Sequence, residues 1–169
     1  FLFYLVVYTL MNIGAFGVLL AVGGRNEERL ELDAYSGLGW KEPFLGVAMT
    51  VFLLSLAGVP FTGGFIGKVF ILDAALERGL IAGAIVLVLT SLVSYYYYLR
   101  VAWYMWFGDP VEEQGVARRM RVAPPLQVAL AVAVAGVLFF GIFPGVLLEL
   151  AEFSALTLMP VAAGVVAAP

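Results

Sequence analysis

Neither cysteine nor histidine occurs among the 169 residues. Without cysteine there is no disulfide, no thiolate metal site and no cysteine-held iron–sulfur cluster. Without histidine the chain lacks the commonest proton shuttle and metal ligand near neutral pH. Charge is scarce too: Asp, Glu, Lys and Arg make up 12% of the residues, where soluble domains carry about 25%. What remains is apolar, with 63% hydrophobic residues and a mean hydropathy of +1.04. Such a composition excludes a soluble domain and points to the lipid bilayer as solvent, with no nucleic-acid partner expected. The formal charge of −3 is uninformative about partners.

Uncharged runs extend over Phe1 to Gly24, Pro43 to Gly67, Gly79 to Leu99 and Val122 to Leu148. A helix needs about 20 apolar residues to cross the hydrocarbon, whereas membrane barrels use alternating segments of about 10. The continuous runs therefore predict an all-α, polytopic transmembrane helix bundle. The passes are expected at about 1–22, 44–76 with an interruption at 58–64, 80–107 and 125–148, forming one unit over 1–150 before an apolar tail, 151–169. The first run has no positive leading region and holds Tyr4, Tyr8 and Asn12, so it reads as a mature helix rather than a signal peptide. A start at Phe1, already inside apolar sequence, is what the back part of a longer chain would show.

Basic residues are unevenly placed. The first connection carries Arg25, Arg29 and Lys41 and the third Arg118, Arg119 and Arg121, whereas the second supplies Arg78 alone and the tail none. Because cytoplasmic loops hold the excess of Lys and Arg, the first and third connections are expected in the cytoplasm and the tail on the opposite side. A re-entrant pair of half-helices over 44–76 would divide the basic residues almost evenly, so one interrupted crossing fits better.

That second segment carries the main functional candidate. Gly58-Val59-Pro60-Phe61-Thr62-Gly63-Gly64 interrupts it, and Lys68 follows in Gly64-Phe65-Ile66-Gly67-Lys68. Pro60 has no amide hydrogen and clashes with the preceding turn, while the glycines accept angles that other residues resist. An opened backbone at membrane depth is tolerated only inside protein or along a wet cavity, and transporters use such breaks to place polar groups at the bilayer centre. A lysine there costs about 2.5 to 3.5 kcal/mol on insertion scales, which makes Lys68 a functional candidate. The bland alternative is snorkelling to the far interface. A straight helix from Phe44 would indeed put position 68 roughly 36 Å along, beyond a core of about 30 Å. Against it, Val69, Phe70, Ile71 and Leu72 follow at once and would be left outside the membrane. A buried Lys68 suits proton traffic because a lysine's basicity, with a reference pKa of about 10.4, moves by several units on desolvation or beside another charge.

Tyr95 to Tyr98, with Arg100, Trp103, Tyr104 and Trp106, read first as an interfacial aromatic belt. Four successive tyrosines nevertheless face nearly all round a helix, so at least one hydroxyl should enter the bundle and find a partner. Ser55, Ser91, Ser94, Thr9, Thr62 and Asn12 offer hydroxyls and an amide, of which Thr62, beside the break, is the candidate for a hydrated route. Gly79 and Gly83 form a weak small-residue packing signal.

The run MTVFLLSLAGVPFTGGFIGK at Met49 to Lys68 resembles the interrupted twelfth helix of the antiporter-like membrane subunits of respiratory complex I. GFIGK followed by SLVSYYYYLRV, with FYLVVYTLMNIGAFGV at the start and Asp33-Ala34-Tyr35-Ser36-Gly37-Leu38 in the first connection, is similar to the subunit N family of NADH-quinone oxidoreductases. The resemblance covers about 1–150 and corresponds to the last four of fourteen helices. It implies a subunit of a proton-pumping oxidoreductase that takes part in proton translocation coupled to quinone reduction. It also implies neighbouring membrane subunits of complex I as partners, and a multi-pass location in the bacterial inner membrane. Lys68 would be the family's proton-transfer lysine, flanked by the break residues Gly58, Pro60, Thr62, Gly63, Gly64 and Gly67. No cofactor is expected in this chain, since NADH, FMN, iron–sulfur clusters and quinone would lie in other subunits. A cation/proton antiporter subunit and a purely structural spacer are the rival readings.

Overall fold

The apolar runs fold as helices throughout the computed structural model, which describes residues 2–23, 32–108 and 122–149. Helix α1 is Leu2–Gly23; a 3-10 turn at Leu32–Tyr35 leads into the short α2, Leu38–Lys41; then come α3, Pro43–Ala57, α4, Gly63–Glu77, α5, Ile81–Phe107, and α6, Pro124–Ile142. Pro43 and Pro124 sit in first turns, where a missing N–H costs no helical bond. The regular part of the last pass stops at Ile142, just before Pro144, and helix resumes over 144–149. Phe143 leaves the helical region, which the following proline disfavours. The tail 151–169 and residues Arg25, Arg29, Arg118, Arg119 and Arg121 lie outside the described residues.

Helices α1, α5 and α6, of 22, 27 and 19 residues, are long and apolar enough to cross a membrane. Helices α3 and α4 have 15 residues each, about 22 Å at 1.5 Å per residue, and neither alone spans a core of about 30 Å. Together they make one crossing. Phe3 meets Phe70, Tyr4 lies on Gly67, Val7 on Gly63, Met11 on Ser55, and the ring of Phe52 on Gly14. Numbers that rise along α1 fall through α4 and then α3, so both halves run antiparallel to α1 and continue one another. A re-entrant hairpin would reverse that order midway.

Helix α5 returns beside the broken pair, with Tyr95 bonded to Gly58 and Trp106 to Thr50. Helix α6 covers the other side: Gly141 abuts Phe61 and Thr62, the Val137 carbonyl abuts Gly63, and Leu130 abuts Gly17. Val7, Val18, Phe52, Met105 and Val137 are fully buried in the resulting core. Between apolar helices in lipid the cohesion is close packing, which small residues permit. Gly79 and Gly83 are not part of it, for nothing lies within 4 Å of a Cβ placed on either. At one end of the bundle the Trp40 indole donates to the Trp106 carbonyl and the Gly37 N–H to the Tyr104 carbonyl. The first and third connections therefore share an end, and the 78–80 turn lies at the opposite one.

Candidate proton-transfer site at the helix break

A helix ends with carbonyls that lack intrahelical donors, and in hydrocarbon no water replaces them. At the end of α3 every such group is accounted for. Gly58 turns left-handed, with φ 92°; its N–H bonds the carbonyls of Leu54 and Ser55, and the Val59 N–H bonds Leu54. This is the Schellman arrangement, and it leaves Leu56, Ala57 and Gly58 projecting. Lys68 Nζ donates to Leu56 at 2.9 Å and to Ala57 at 2.8 Å. The Tyr95 hydroxyl donates to Gly58 at 2.8 Å, and the Thr62 hydroxyl to Val59 at 2.6 Å. On the α4 side the Gly64 N–H finds the Ser55 hydroxyl at 3.1 Å, which itself donates to the Met11 sulfur. Among the described residues no buried side-chain nitrogen or oxygen lacks a partner.

Lys68 therefore caps the C-terminus of α3 from the second turn of α4. A helical Cβ leans toward its own N-terminus, so the stem runs back across Gly58, where a Cβ would stand 3.1 Å from Lys68 Cδ. The ammonium returns to the break instead of snorkelling to the far interface. Its location at the negative end of a helix dipole suits a cation.

The half-buried ammonium also borders a cavity of about 210 Å³, lined by Tyr4, Tyr8 and Met11 of α1, by Ser55, Leu56, Gly64 and Lys68 at the break, and by Leu87, Thr90, Ser91, Ser94 and Tyr98 of α5. Among the described residues Lys68 is the one charged group in that lining. Hydroxyls predominate among the rest. Thr90, Ser91 and Ser94 each donate to a carbonyl of their own helix, which leaves oxygen lone pairs as acceptors. A polar cavity of this size holds several waters.

The interruption is shorter than the sequence suggests. It covers Gly58 to Thr62, with Pro60 inside it, while Gly63, Gly64 and Gly67 belong to α4. These three serve contact rather than backbone freedom: a Cβ on Gly64 would run into the Ser55 carbonyl, on Gly67 into the Tyr4 ring, and on Gly63 into Val7. Phe61 instead takes the left-handed angle, φ 69°, uncommon for a bulky residue. Thr62 does not reach the cavity, because its buried hydroxyl is spent on Val59 and α6 closes over it. Thr9 and Asn12 bond carbonyls of their own helix, Leu5 and Tyr8, and do not line the cavity either. Tyr4, Tyr8 and Thr90 are not among the polar candidates that residue type offers, and Tyr98 enters only as one of the four successive tyrosines. A helical-face count would have found them, because 4, 8 and 11, and 87, 90, 91, 94 and 98, recur at spacings of three and four.

The family model described as NADH:quinone oxidoreductase/Mrp antiporter, transmembrane, matches residues 1–94. The chain is similar to NADH-quinone oxidoreductase subunit N of Trichlorobacter lovleyi, 48% identical over 151 residues, which covers 89% of this chain and 30% of that one. It is 43% identical over 157 residues to NADH-quinone oxidoreductase subunit N 1 of Solibacter usitatus, covering 93% and 32%. Among solved structures it superposes on a chain of respiratory complex I from Thermus thermophilus with bound aureothin, with a TM-score of 0.75 and 33% identity over 87% of this chain and 33% of that one. The chain thus spans about a third of the length of the curated relatives it matches.

Proposed function

Because the chain belongs to the NADH:quinone oxidoreductase/Mrp antiporter transmembrane family, on its subunit N branch, we propose that it serves in the membrane arm of a proton-pumping NADH-quinone oxidoreductase. In this reading it carries protons, not electrons. Redox groups and quinone belong to other subunits, neighbouring membrane subunits of the complex pack against its exposed apolar faces, and the location is the bacterial inner membrane. The first and third connections face the cytoplasm and the tail faces away from it.

Lys68 is the proton-transfer residue. The observation that carries this reading is the pair of hydrogen bonds that Nζ donates to the Leu56 and Ala57 carbonyls at the edge of a hydroxyl-lined cavity. An ammonium has three N–H groups, and two of them are engaged by those carbonyls. When the third proton leaves, the neutral amine still has two N–H donors, and its lone pair takes the vacated direction. The cradle therefore satisfies both protonation states, and the position that alternates between N–H and lone pair is the one free to face cavity water. Neither state leaves a carbonyl of the break without a donor. Among the described residues of the lining Lys68 is the one charge, and in this reading the charges driving the exchange come from other parts of the full-length subunit.

The test is a pair of replacements in the full-length subunit within the assembled complex. Lys68→Ala should leave assembly in place and reduce NADH-driven proton uptake into inverted vesicles, by tenfold or more on the scale of about 10²–10⁴ typical for removing a proton-transfer group. Lys68→Arg keeps a cation that does not release its proton and should also fail to pump. Normal pumping by both would remove the role and favour the structural spacer.

A further inference from the structure

The three carbonyls left by the end of α3 are not held by one group. Lys68 takes Leu56 and Ala57, and the next in sequence, Gly58, is held by the hydroxyl of Tyr95 from a different helix. The division matters because the Lys68 stem lies directly against Gly58: a Cβ there would be 3.3 Å from Nζ itself. The Gly58 carbonyl is next in sequence to the two that Lys68 holds at the same helix end, so without its own donor it would compete as a third acceptor for the N–H that faces the cavity. Gly58 is also the left-handed pivot of the break, so whatever fixes its carbonyl fixes the direction in which α3 ends. Tyr95 is half-buried, whereas its neighbours Tyr96 and Tyr97 are 64% and 60% exposed, so the four-tyrosine run places one hydroxyl on the break and leaves two outside.

We propose that Tyr95 is a positioning residue for Lys68, holding the Gly58 carbonyl so that the ammonium binds two carbonyls and keeps its third N–H for exchange. The proposal rests on the reading of Lys68 as the proton-transfer residue. It also makes α5 a mechanical partner of the break: a displacement of α5 that withdraws the hydroxyl hands the Gly58 carbonyl to the lysine and closes the exchanging position.

The experiment uses the full-length subunit in the assembled complex, with proton uptake per NADH oxidised in inverted vesicles as the readout. Tyr95→Phe should assemble normally and lower that ratio by about three- to tenfold, the range set by one neutral hydrogen bond, while Tyr97→Phe should not. Tyr95→Gln, which keeps a donor for a carbonyl, should recover most of the loss. In a Lys68→Ala background Tyr95→Phe should add nothing, because a residue acting through the lysine has no effect without it. Wild-type pumping by Tyr95→Phe overturns the proposal, as does a full additional loss on top of Lys68→Ala. Failure of Tyr95→Phe and Tyr95→Gln to assemble also overturns it, by assigning the residue to the fold. Normal pumping by Lys68→Ala itself would instead overturn the reading on which the proposal stands.

Discussion

At Gly58 a single residue meets two demands, a backbone angle and a contact. Its φ of 92° costs an ordinary L-residue roughly 1–2 kcal/mol, and a Cβ would press on Lys68 Cδ at 3.1 Å. Gly58→Ala should therefore destabilise the assembled complex by about 1–3 kcal/mol, read as a lowered midpoint in thermal unfolding of the purified complex, and should reduce pumping by crowding the lysine stem. Gly83→Ala is the matched comparison, since nothing lies within 4 Å of its added carbon and its helix gains from alanine. It should leave the midpoint unchanged or slightly raised. Equal losses from both would mean that the position of Gly58 at the break is of no consequence. Lys68 was visible in the sequence because a charge in apolar surroundings stands out. Its partners were not, since the acceptors are backbone carbonyls and carry no mark in the residue types of Leu56 and Ala57.

The broken crossing is stabilised as a unit by bonds between its halves, and Ser55 is the tie that reaches furthest. Its hydroxyl accepts the Gly64 N–H, an N-terminal donor of α4 that has no intrahelical carbonyl, and donates to Met11 on α1. Ser55→Ala removes that acceptor in a fully buried place, and a stranded buried donor costs about 1–3 kcal/mol. The expected outcome is a lower unfolding midpoint together with weaker pumping, because α4 carries Lys68. A Ser55→Ala complex that melts with the wild type would show that water or another group takes over the bond. The existence of the break was legible from Pro60 and the glycines, and its single-crossing direction from the basic residues of the flanking connections. Its extent was not. A glycine chosen for its angles and one chosen to let a neighbour approach look alike in sequence, so the interruption reads as 58–64 although Gly63 and Gly64 are already helix, packed against Val7 and Ser55. The hydroxyl-lined cavity was equally hidden, because it is assembled from faces of three passes, α1, the broken α3–α4 pair and α5, each of which reads alone as an apolar pass with scattered polar residues.

For the whole molecule the helix directions fix which connections share an end, and the charge pattern predicts which side of the membrane that end faces. The bonds of Trp40 to Trp106 and of Gly37 to Tyr104 gather the first and third connections at one end, which also carries the exposed rings of Trp40, Trp103 and Phe107, large aromatic side chains of the kind enriched at membrane–water interfaces. Lys41 is exposed at that end, and Arg78 is exposed in the turn at the other. Four crossings, one of them broken, demand opposite sides for these two residues; had α3 and α4 folded back as a hairpin, the sides would be the same. The segment contains no cysteine, so Lys41→Cys and Arg78→Cys, each in a subunit otherwise free of cysteine, give an unambiguous label. A membrane-impermeant maleimide should modify Cys in place of Arg78 in intact right-side-out cells and Cys in place of Lys41 only in inverted vesicles. Labelling of both from one side would undo the single crossing, and with it the proposed burial of the Lys68 ammonium inside the membrane. Labelling of each from the reverse side would leave the broken helix intact but turn it over. The excess of Arg and Lys in the first and third connections would then lie outside the cytoplasm, against the rule that governs such loops.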